Sequence, residues 1–132
     1  LMDTNVLSEL WKDAPDANVV KWFFASEWFL PVPVIAEIQE GAENPRLATA
    51  ARLKLNTKLD TFLATHAATV IDWDADCART WGRLKHSPEV RRQPQALWDS
   101  LIDAMAVRTG YAIATRNAAD FRHGLTFNPW TS

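Results

Sequence analysis

The sequence predicts an α/β domain with a central, mostly parallel sheet. Segments with helical spacing of apolar residues alternate with short apolar segments along the whole length, which is the pattern of strands joined by crossover helices. The composition, 48% hydrophobic and 23% charged residues, is typical of a globular protein. At 132 residues the chain is long enough to bury one sizeable core, so we expect a single domain over 1–132.

The expected helices carry apolar side chains three and four residues apart. The longest places Leu55, Leu59 and Phe62 on one face. Asp74 is expected to cap a helix at its N-terminus, and Gly110 to end one. The segments with this spacing are 6–11, 13–29 after an initial turn, 34–44, 47–66, 74–87 and 98–110. In the second of them we expect four apolar side chains to be buried: Val19, Val20, Phe23 and Phe24.

The expected strands are short and apolar. The first ends at Met2, and because the chain begins with Leu1 rather than methionine, we expect residues ahead of it to extend this strand. The later strands are expected at 29–33, 68–73, 111–115 and 124–127. Two prolines and paired arginines make 87–97 the best loop candidate, and 116–121 is expected to be a turn or short helix.

Charge and cysteine content exclude several classes of protein. A net charge of −2 and a pI near 5.9 argue against a protein that simply coats nucleic acid, but not against an enzyme whose acids hold metal ions. The lone Cys77 rules out an internal disulfide and fits a reducing compartment. No apolar run reaches membrane-spanning length and no signal peptide is visible, so we expect a cytoplasmic protein with no membrane partner. No Gly-rich phosphate loop is present.

Four acids lie at positions that favour a shared site. Asp3 follows the first expected strand, and Asp120 comes just past the late strand "YAIAT". Ligands of parallel sheets gather at these carboxyl ends. Glu37 and Asp99 stand within otherwise apolar helical segments, where an unpaired ionised acid is costly.

Three explanations fit each acid: it pairs with an arginine or caps a helix, it turns to the solvent edge, or it meets the other acids around a divalent metal. For a single acid, pairing or capping is favoured. For the four taken together we favour the metal. Carboxylate oxygens suit Mg²⁺ or Mn²⁺. The residues argue against zinc, because Cys77 stands alone and no zinc-ligand spacing relates the three histidines, which we expect at the surface: His66, His86 and His123.

Five segments in this order, "LMDTNVLSEL", "VIAEIQEGA", "WDSLIDAMAV", "AIATRNAADF" and a terminal "NPW", resemble the PIN domain, and within it the VapC/FitB-like toxins of prokaryotic toxin–antitoxin systems. The resemblance covers nearly the whole chain. It implies a three-layer α/β/α fold and a metal-dependent endoribonuclease. It also implies a cognate antitoxin as partner and a homodimer or higher assembly.

The resemblance also assigns residues. Asp3, Glu37 and Asp99 match the first three catalytic, metal-holding acids of the family. Family members place a fourth acid at the position of Asn117 or of Asp120, and because Asn117 is neutral, we choose Asp120. Small polar residues that steady the site are implied at four positions: Thr4, Asn5, Thr115 and Asn117.

One residue departs from the family pattern. Asp103 stands where relatives usually carry a small residue such as alanine. It lies four residues after Asp99 and therefore on the same helix face. We expect it to pair with a nearby arginine rather than to join the site.

A net-acidic nuclease needs local cations to receive an anionic RNA substrate. The candidates are Arg91, Arg92, Arg116 and Arg122, with solvated surface or interhelix salt bridges as the alternative. An alternative function is a weakly active or inactive partner that works mainly through an antitoxin-bound, DNA-binding complex. A phosphoryl-transfer domain with Asp3 as acceptor would need a lysine at the late strand, and "AIATRN" contains none.

Overall fold

A computed structural model describes residues 1–131 of the chain. Helices contribute most of the regular structure in these residues. In chain order they are α1 (Thr4–Leu10), α2 (Ala17–Ala25), α3 (Val32–Ala42), α4 (Thr49–Thr65), α5 (Ala75–Leu84), α6 (Pro88–Arg92) and α7 (Leu97–Thr109). Short 3₁₀ turns occur at Ala67–Thr69, Ala118–Asp120 and Pro129–Thr131.

The strands are short and pair in parallel. They are β1 (Leu30–Pro31), β2 (Val70–Ile71), β3 (Ile113–Ala114) and β4 (Thr126–Phe127). β1 pairs with β2, and β3 pairs with β4. The N-terminal segment joins the two pairs, because Met2 forms a parallel bridge with Ala114 and its N–H donates to Phe29 O at 2.9 Å. The expected α/β class with parallel strands is confirmed.

Local signals in the sequence set several helix ends. The carboxylate of Asp74 accepts the N–H of Cys77 at 2.8 Å, so the expected N-cap of α5 is confirmed. Gly110 ends α7 in the left-handed conformation (φ 78°), as expected of a glycine at this position.

The core lies between the sheet and the helices that cover it. α7 packs against α5 and α3, and α3 packs against α4. Fully buried side chains of α7 include Ile102 and Met105. This packing fixes α7 and α3, which carry Asp99 and Glu37, relative to the strand ends that carry Asp3.

The structure corrects three expectations of local structure. Phe24 of α2 is 80% exposed rather than buried. The 87–97 segment is not loop throughout, because Ser87 Oγ accepts the N–H of Val90 and begins the one-turn helix α6. His86 is at the surface, but His66 and His123 are half-buried. No helix in residues 1–131 is both long and apolar enough to cross a membrane.

Candidate active site

Asp3 lies at the junction between the first strand segment and α1, where it caps the helix and also faces a cleft. Its Oδ1 accepts the N–H of Thr4 at 2.8 Å. Its Oδ2 accepts hydrogen bonds from Thr115 Oγ1 at 2.7 Å and from Asn5 Nδ2 at 3.3 Å. Asp3 therefore caps α1 and faces the cleft at the same time, and hydrogen bonds hold both of its carboxylate oxygens in place.

Thr115 and Asn5 link Asp3 to the end of β3. Besides donating to Asp3, Thr115 Oγ1 accepts from Asn5 Nδ2 at 3.2 Å and from the N–H of Asn117 at 3.0 Å. Asn5 Oδ1 accepts the N–H of Arg116 at 3.4 Å. Of the four residues expected to steady the site, Asn5 and Thr115 contact Asp3 through their side chains and Thr4 through its backbone. The fourth, Asn117, contacts Thr115 through its backbone N–H.

A cleft of about 530 Å³ opens beside Asp3. All four predicted acids line it, together with Asn117. Its lining residues are Asp3, Thr4, Asn5, Ser8, Glu9, Lys12, Glu37, Asp99, Arg116, Asn117, Asp120 and Trp130.

The acids of the cleft are electrostatically unfavourable as they stand. Burial, followed by the negative charges of Asp120, Asp3 and Glu37, raises the pKa of Asp99 from 3.8 to about 6. Burial also raises the pKa of Asp3, against the opposing effect of its hydrogen bonds. Within residues 1–131 none of the four carboxylates forms an ion pair with a cationic side chain. A positively charged ligand would relieve this repulsion.

The donor set decides which ligand fits. In the described residues no three His, Cys, Asp or Glu side chains converge closely enough to cage an ion, and mutual repulsion is a sufficient reason for carboxylates to stay apart. Thr4, which lines the cleft, has a buried hydroxyl oxygen with no hydrogen-bond partner. Oxygen donors in this loose arrangement fit Mg²⁺ or Mn²⁺, since Mg²⁺ uses one or two carboxylates and keeps several waters. They do not fit zinc, which prefers nitrogen and sulfur ligands in a closed tetrahedron.

A rim of basic and aromatic side chains, Lys12, Arg116 and Trp130, also lines the cleft, and the sequence predicted only Arg116 among them. The guanidinium of Arg116 lies 4.7 Å from the ring centroid of Trp130. Trp130 Nε1 donates to Glu9 Oε1 at 3.0 Å, and Lys12 Nζ lies 3.1 Å from Glu9 Oε2. The hydrogen bond from Trp130 lowers the pKa of Glu9. The i,i+3 spacing of Glu9 and Lys12 was a usable signal, whereas nothing local linked Trp130 to them.

The other predicted arginines lie outside the cleft. Arg91 and Arg92 are exposed on α6. The guanidinium of Arg122 donates to the carbonyls of Gln93, at 2.7 Å, and of Ala119. Arg116 is the one predicted arginine among the lining residues.

The arginine pair expected for Asp103 does not form within the described residues. Its carboxylate accepts instead the backbone N–H groups of Arg122, His123 and Gly124. The reason is that the guanidinium of Arg122 points away to backbone carbonyls, which leaves only its N–H for Asp103.

Comparison with known proteins identifies the family. A model of the PIN domain matches residues 1–123. The chain is 30% identical to VapC ribonuclease Y4jK of Sinorhizobium fredii, with 98% of this chain and 96% of the relative covered. It is 26% identical to Toxin FitB of Neisseria gonorrhoeae, with 98% and 97% covered.

Solved structures show the same fold. The structure of FitAB bound to the IR36 DNA fragment matches with a TM-score of 0.80 at 23% identity, over 98% of this chain and 94% of that one. The structure of VapBC2 from Rickettsia felis, bound to a DNA fragment from its promoter, matches with a TM-score of 0.72 at 21% identity, over 96% of both chains. Since the family model covers most of the chain and the fold agrees, this chain belongs to the PIN-domain family, among the VapC- and FitB-like members that its sequence resembles.

Proposed function

We propose that this chain is a divalent-metal-dependent endoribonuclease, the toxin of a toxin–antitoxin pair, acting in the cytoplasm on RNA phosphodiester bonds. Relatives named as a VapC ribonuclease and as Toxin FitB, aligned over nearly the whole chain, support the class of activity. The observation that carries the proposal is the cleft itself. Asp3, Glu37, Asp99 and Asp120 share it without a cationic partner among the described side chains.

These four acids are the proposed ligands of Mg²⁺ or Mn²⁺. A bound ion would supply Lewis acidity, which eases deprotonation of water and neutralises charge on the phosphate. Thr115 and the N–H of Thr4 hold the carboxylate of Asp3 in one orientation. Without the ion, burial and the neighbouring carboxylates raise the pKa of Asp99 to about 6; a bound cation would lower that pKa again, so the role proposed for Asp99 is to hold the ion and orient the attacking water.

Arg116 is the proposed receiver of the substrate phosphate. It is exposed, lines the cleft and stacks over Trp130. Its backbone N–H is bound to Asn5, next to Asp3. A guanidinium fixed at the rim of an acidic cleft offers the local positive charge that a net-acidic protein needs for an anionic substrate.

The proposed partners are RNA as substrate and a cognate antitoxin protein, with the chain forming a homodimer or a higher assembly with it. The fold shared with FitAB and VapBC2 supports this, as does the resemblance to toxin–antitoxin members of the family.

The test is cleavage of a mixed-sequence RNA in Mg²⁺ or Mn²⁺, compared with EDTA. We expect cleavage only with metal, and a fall of about 100-fold or more in Asp99→Asn and in Glu37→Gln, because each substitution removes a carboxylate that holds the ion, and the ion contributes several kcal/mol of transition-state stabilisation. Glu40→Gln is the matched control. Glu40 is exposed on α3, one turn from Glu37 and outside the cleft, so this variant should cleave normally.

Two results would contradict the proposal. Full cleavage in EDTA would show that the reaction needs no metal, and full cleavage by Asp99→Asn would show that Asp99 is not catalytic. Tight binding of an antitoxin and DNA with no cleavage in either metal would instead favour the alternative, an inactive partner protein that works through the complex.

A further inference from the structure

Asp103 is a buried carboxylate that the proposed chemistry does not use. It is 1% exposed and lies one turn after Asp99 on α7, yet it is not among the residues that line the cleft. Burying a charged carboxylate is costly unless its oxygens are hydrogen-bonded. The identity of its donors therefore indicates what it holds in place.

Most of those donors belong to one short stretch of backbone. Oδ1 of Asp103 accepts the N–H of Gly124 at 2.8 Å. Oδ2 accepts the N–H of Arg122 at 3.2 Å and that of His123 at 3.2 Å, with His123 Nδ1 also 3.2 Å away. Phe121 alone separates this stretch, 122–124, from the 3₁₀ turn Ala118–Asp120, which carries the fourth acid of the cleft.

Gln95 provides a second and more direct connection. Its Nε2 lies 3.3 Å from Asp103 Oδ2 and donates to the backbone oxygen of Asp120 at 3.0 Å. One amide group thus bridges the buried carboxylate and the residue that lines the cleft.

Close packing leaves the 122–124 stretch little room to shift. A Cβ added at Gly124 would lie 2.9 Å from Ala106 Cβ and 3.1 Å from both Asp103 Oδ1 and Ile113 Cδ1. The backbone can therefore come this close to α7 only because residue 124 is glycine. The stretch is held against the helix by contact as well as by hydrogen bonds.

We propose that Asp103, acting through the 122–124 backbone and Gln95, is a positioning residue that sets the placement of Asp120 in the cleft. This inference rests on the proposed function, since it assumes that Asp120 serves as a metal ligand. Groups that orient the ligands of a metal typically contribute 10- to 100-fold to its affinity. A carboxylate that organises three consecutive N–H groups is a rigid support of this kind.

The first experiment measures Mn²⁺ affinity by calorimetry, without substrate. Asp103→Asn keeps the shape of the side chain but loses its charge and one acceptor oxygen, and we expect Mn²⁺ to bind about 10-fold more weakly. Gln95→Ala removes only the bridge, and we expect a loss of about threefold. Asp76→Asn is the control for loss of one acidic charge, because Asp76 is exposed and pairs with Arg108 away from the cleft; its affinity should match the wild type.

A double-mutant cycle separates positioning from general damage. In an Asp120→Asn background, Asp103→Asn should weaken Mn²⁺ binding no further, because the group that it positions no longer ligates the ion. Losses that multiply would overturn the proposal. If Asp103→Asn does not fold, as judged by circular dichroism, the same cycle with Gln95→Ala decides the question.

Amide hydrogen exchange of the metal-free protein tests the structural half. Faster exchange at 122–124 in Asp103→Asn, with α5 unchanged, is the expected result. A wild-type protein that neither binds Mn²⁺ nor cleaves RNA overturns the proposed function and this inference with it. A wild-type protein that binds Mn²⁺, with unchanged affinity in Asp103→Asn and Gln95→Ala, overturns the positioning role alone.

Discussion

Two carboxylates one turn apart on α7 have opposite surroundings. Asp103 is almost completely buried, yet backbone N–H groups and Gln95 surround its oxygens. Asp99 is more exposed, yet its pKa is raised to about 6, first by burial and then by the charges of Asp120, Asp3 and Glu37. The two carboxylates differ in how many hydrogen-bond donors reach their oxygens, and the more deeply buried one is the better supplied.

The difference shows how one helix serves two purposes. At Asp103 the charge is satisfied within the protein and stabilises a loop, so it has nothing left to offer a ligand. At Asp99 the charge has no cationic partner among the described residues, and this makes it available to a cation or to a proton.

The largest effect on stability is expected from Asp103→Asn. An amide cannot accept all the N–H groups of 122–124, and its own NH₂ would face donors, so buried groups are left unpaired. We expect the free energy of unfolding to fall by about 2 kcal/mol. The measurement is urea denaturation of the metal-free protein, with Asp76→Asn as the control. A loss no larger than that of the control would mean that the hydrogen bonds at Asp103 contribute little.

Asp99→Asn should change the free energy of unfolding in the opposite direction. The folded pKa, about 6, lies above the ordinary value of 3.8, so the native state holds the proton more tightly and the ionised form costs stability above pH 6. In EDTA at pH 7 to 8 we expect Asp99→Asn to be more stable than the wild type by about 1 kcal/mol. This is less than the roughly 3 kcal/mol that a two-unit shift implies, because the side chain is partly solvated.

The pH dependence and the metal dependence check the cause. The greater stability of Asp99→Asn should diminish as the pH falls from 6 to 4, because the wild-type carboxyl is then protonated in the folded state and carries no charge. Saturating Mn²⁺ should reverse it, since binding to the native state stabilises the wild type by mass action. An advantage that persists unchanged at pH 4 would show that the ionised carboxylate of Asp99 is not the cause of the lower stability.

The contrast on α7 also marks the limit of what the sequence predicts. Asp3, Asp74 and Gly110 were predictable because a strand end, a cap and a helix stop are local signals. The partners of Asp103 were not, because its donors are backbone N–H groups 19 to 21 residues away. Any residue type presents such groups, so the side chains give no indication of them.

In α2 the spacing of apolar residues did not predict which side of the helix is exposed. In α2, apolar residues at 19, 20 and 22–24 surround much of the helix, so their spacing cannot identify the exposed side. Phe24 is the residue left in solvent. The fold class and its family were thus accessible from the sequence, while the catalytic and metal-binding roles of Asp3, Glu37, Asp99 and Asp120 stay predictions.

The smallest effect is expected at the basic rim of the cleft. Arg116→Gln removes a charge that sits over Trp130 but is bound to none of the four acids. If Arg116 receives a substrate phosphate without taking part in the chemistry, KM for RNA should rise about threefold with kcat nearly unchanged. The dependence of log KM on log salt should also flatten by about 0.7, the value of one phosphate contact on a single strand.

Arg108→Gln is the control, because Arg108 lies nine residues after Asp99 on α7, about 13 Å along the helix axis, and pairs with Asp76. A fall in kcat with unchanged KM would instead place Arg116 with the reacting groups, and the division between unsatisfied acids and supporting cations would have to be redrawn.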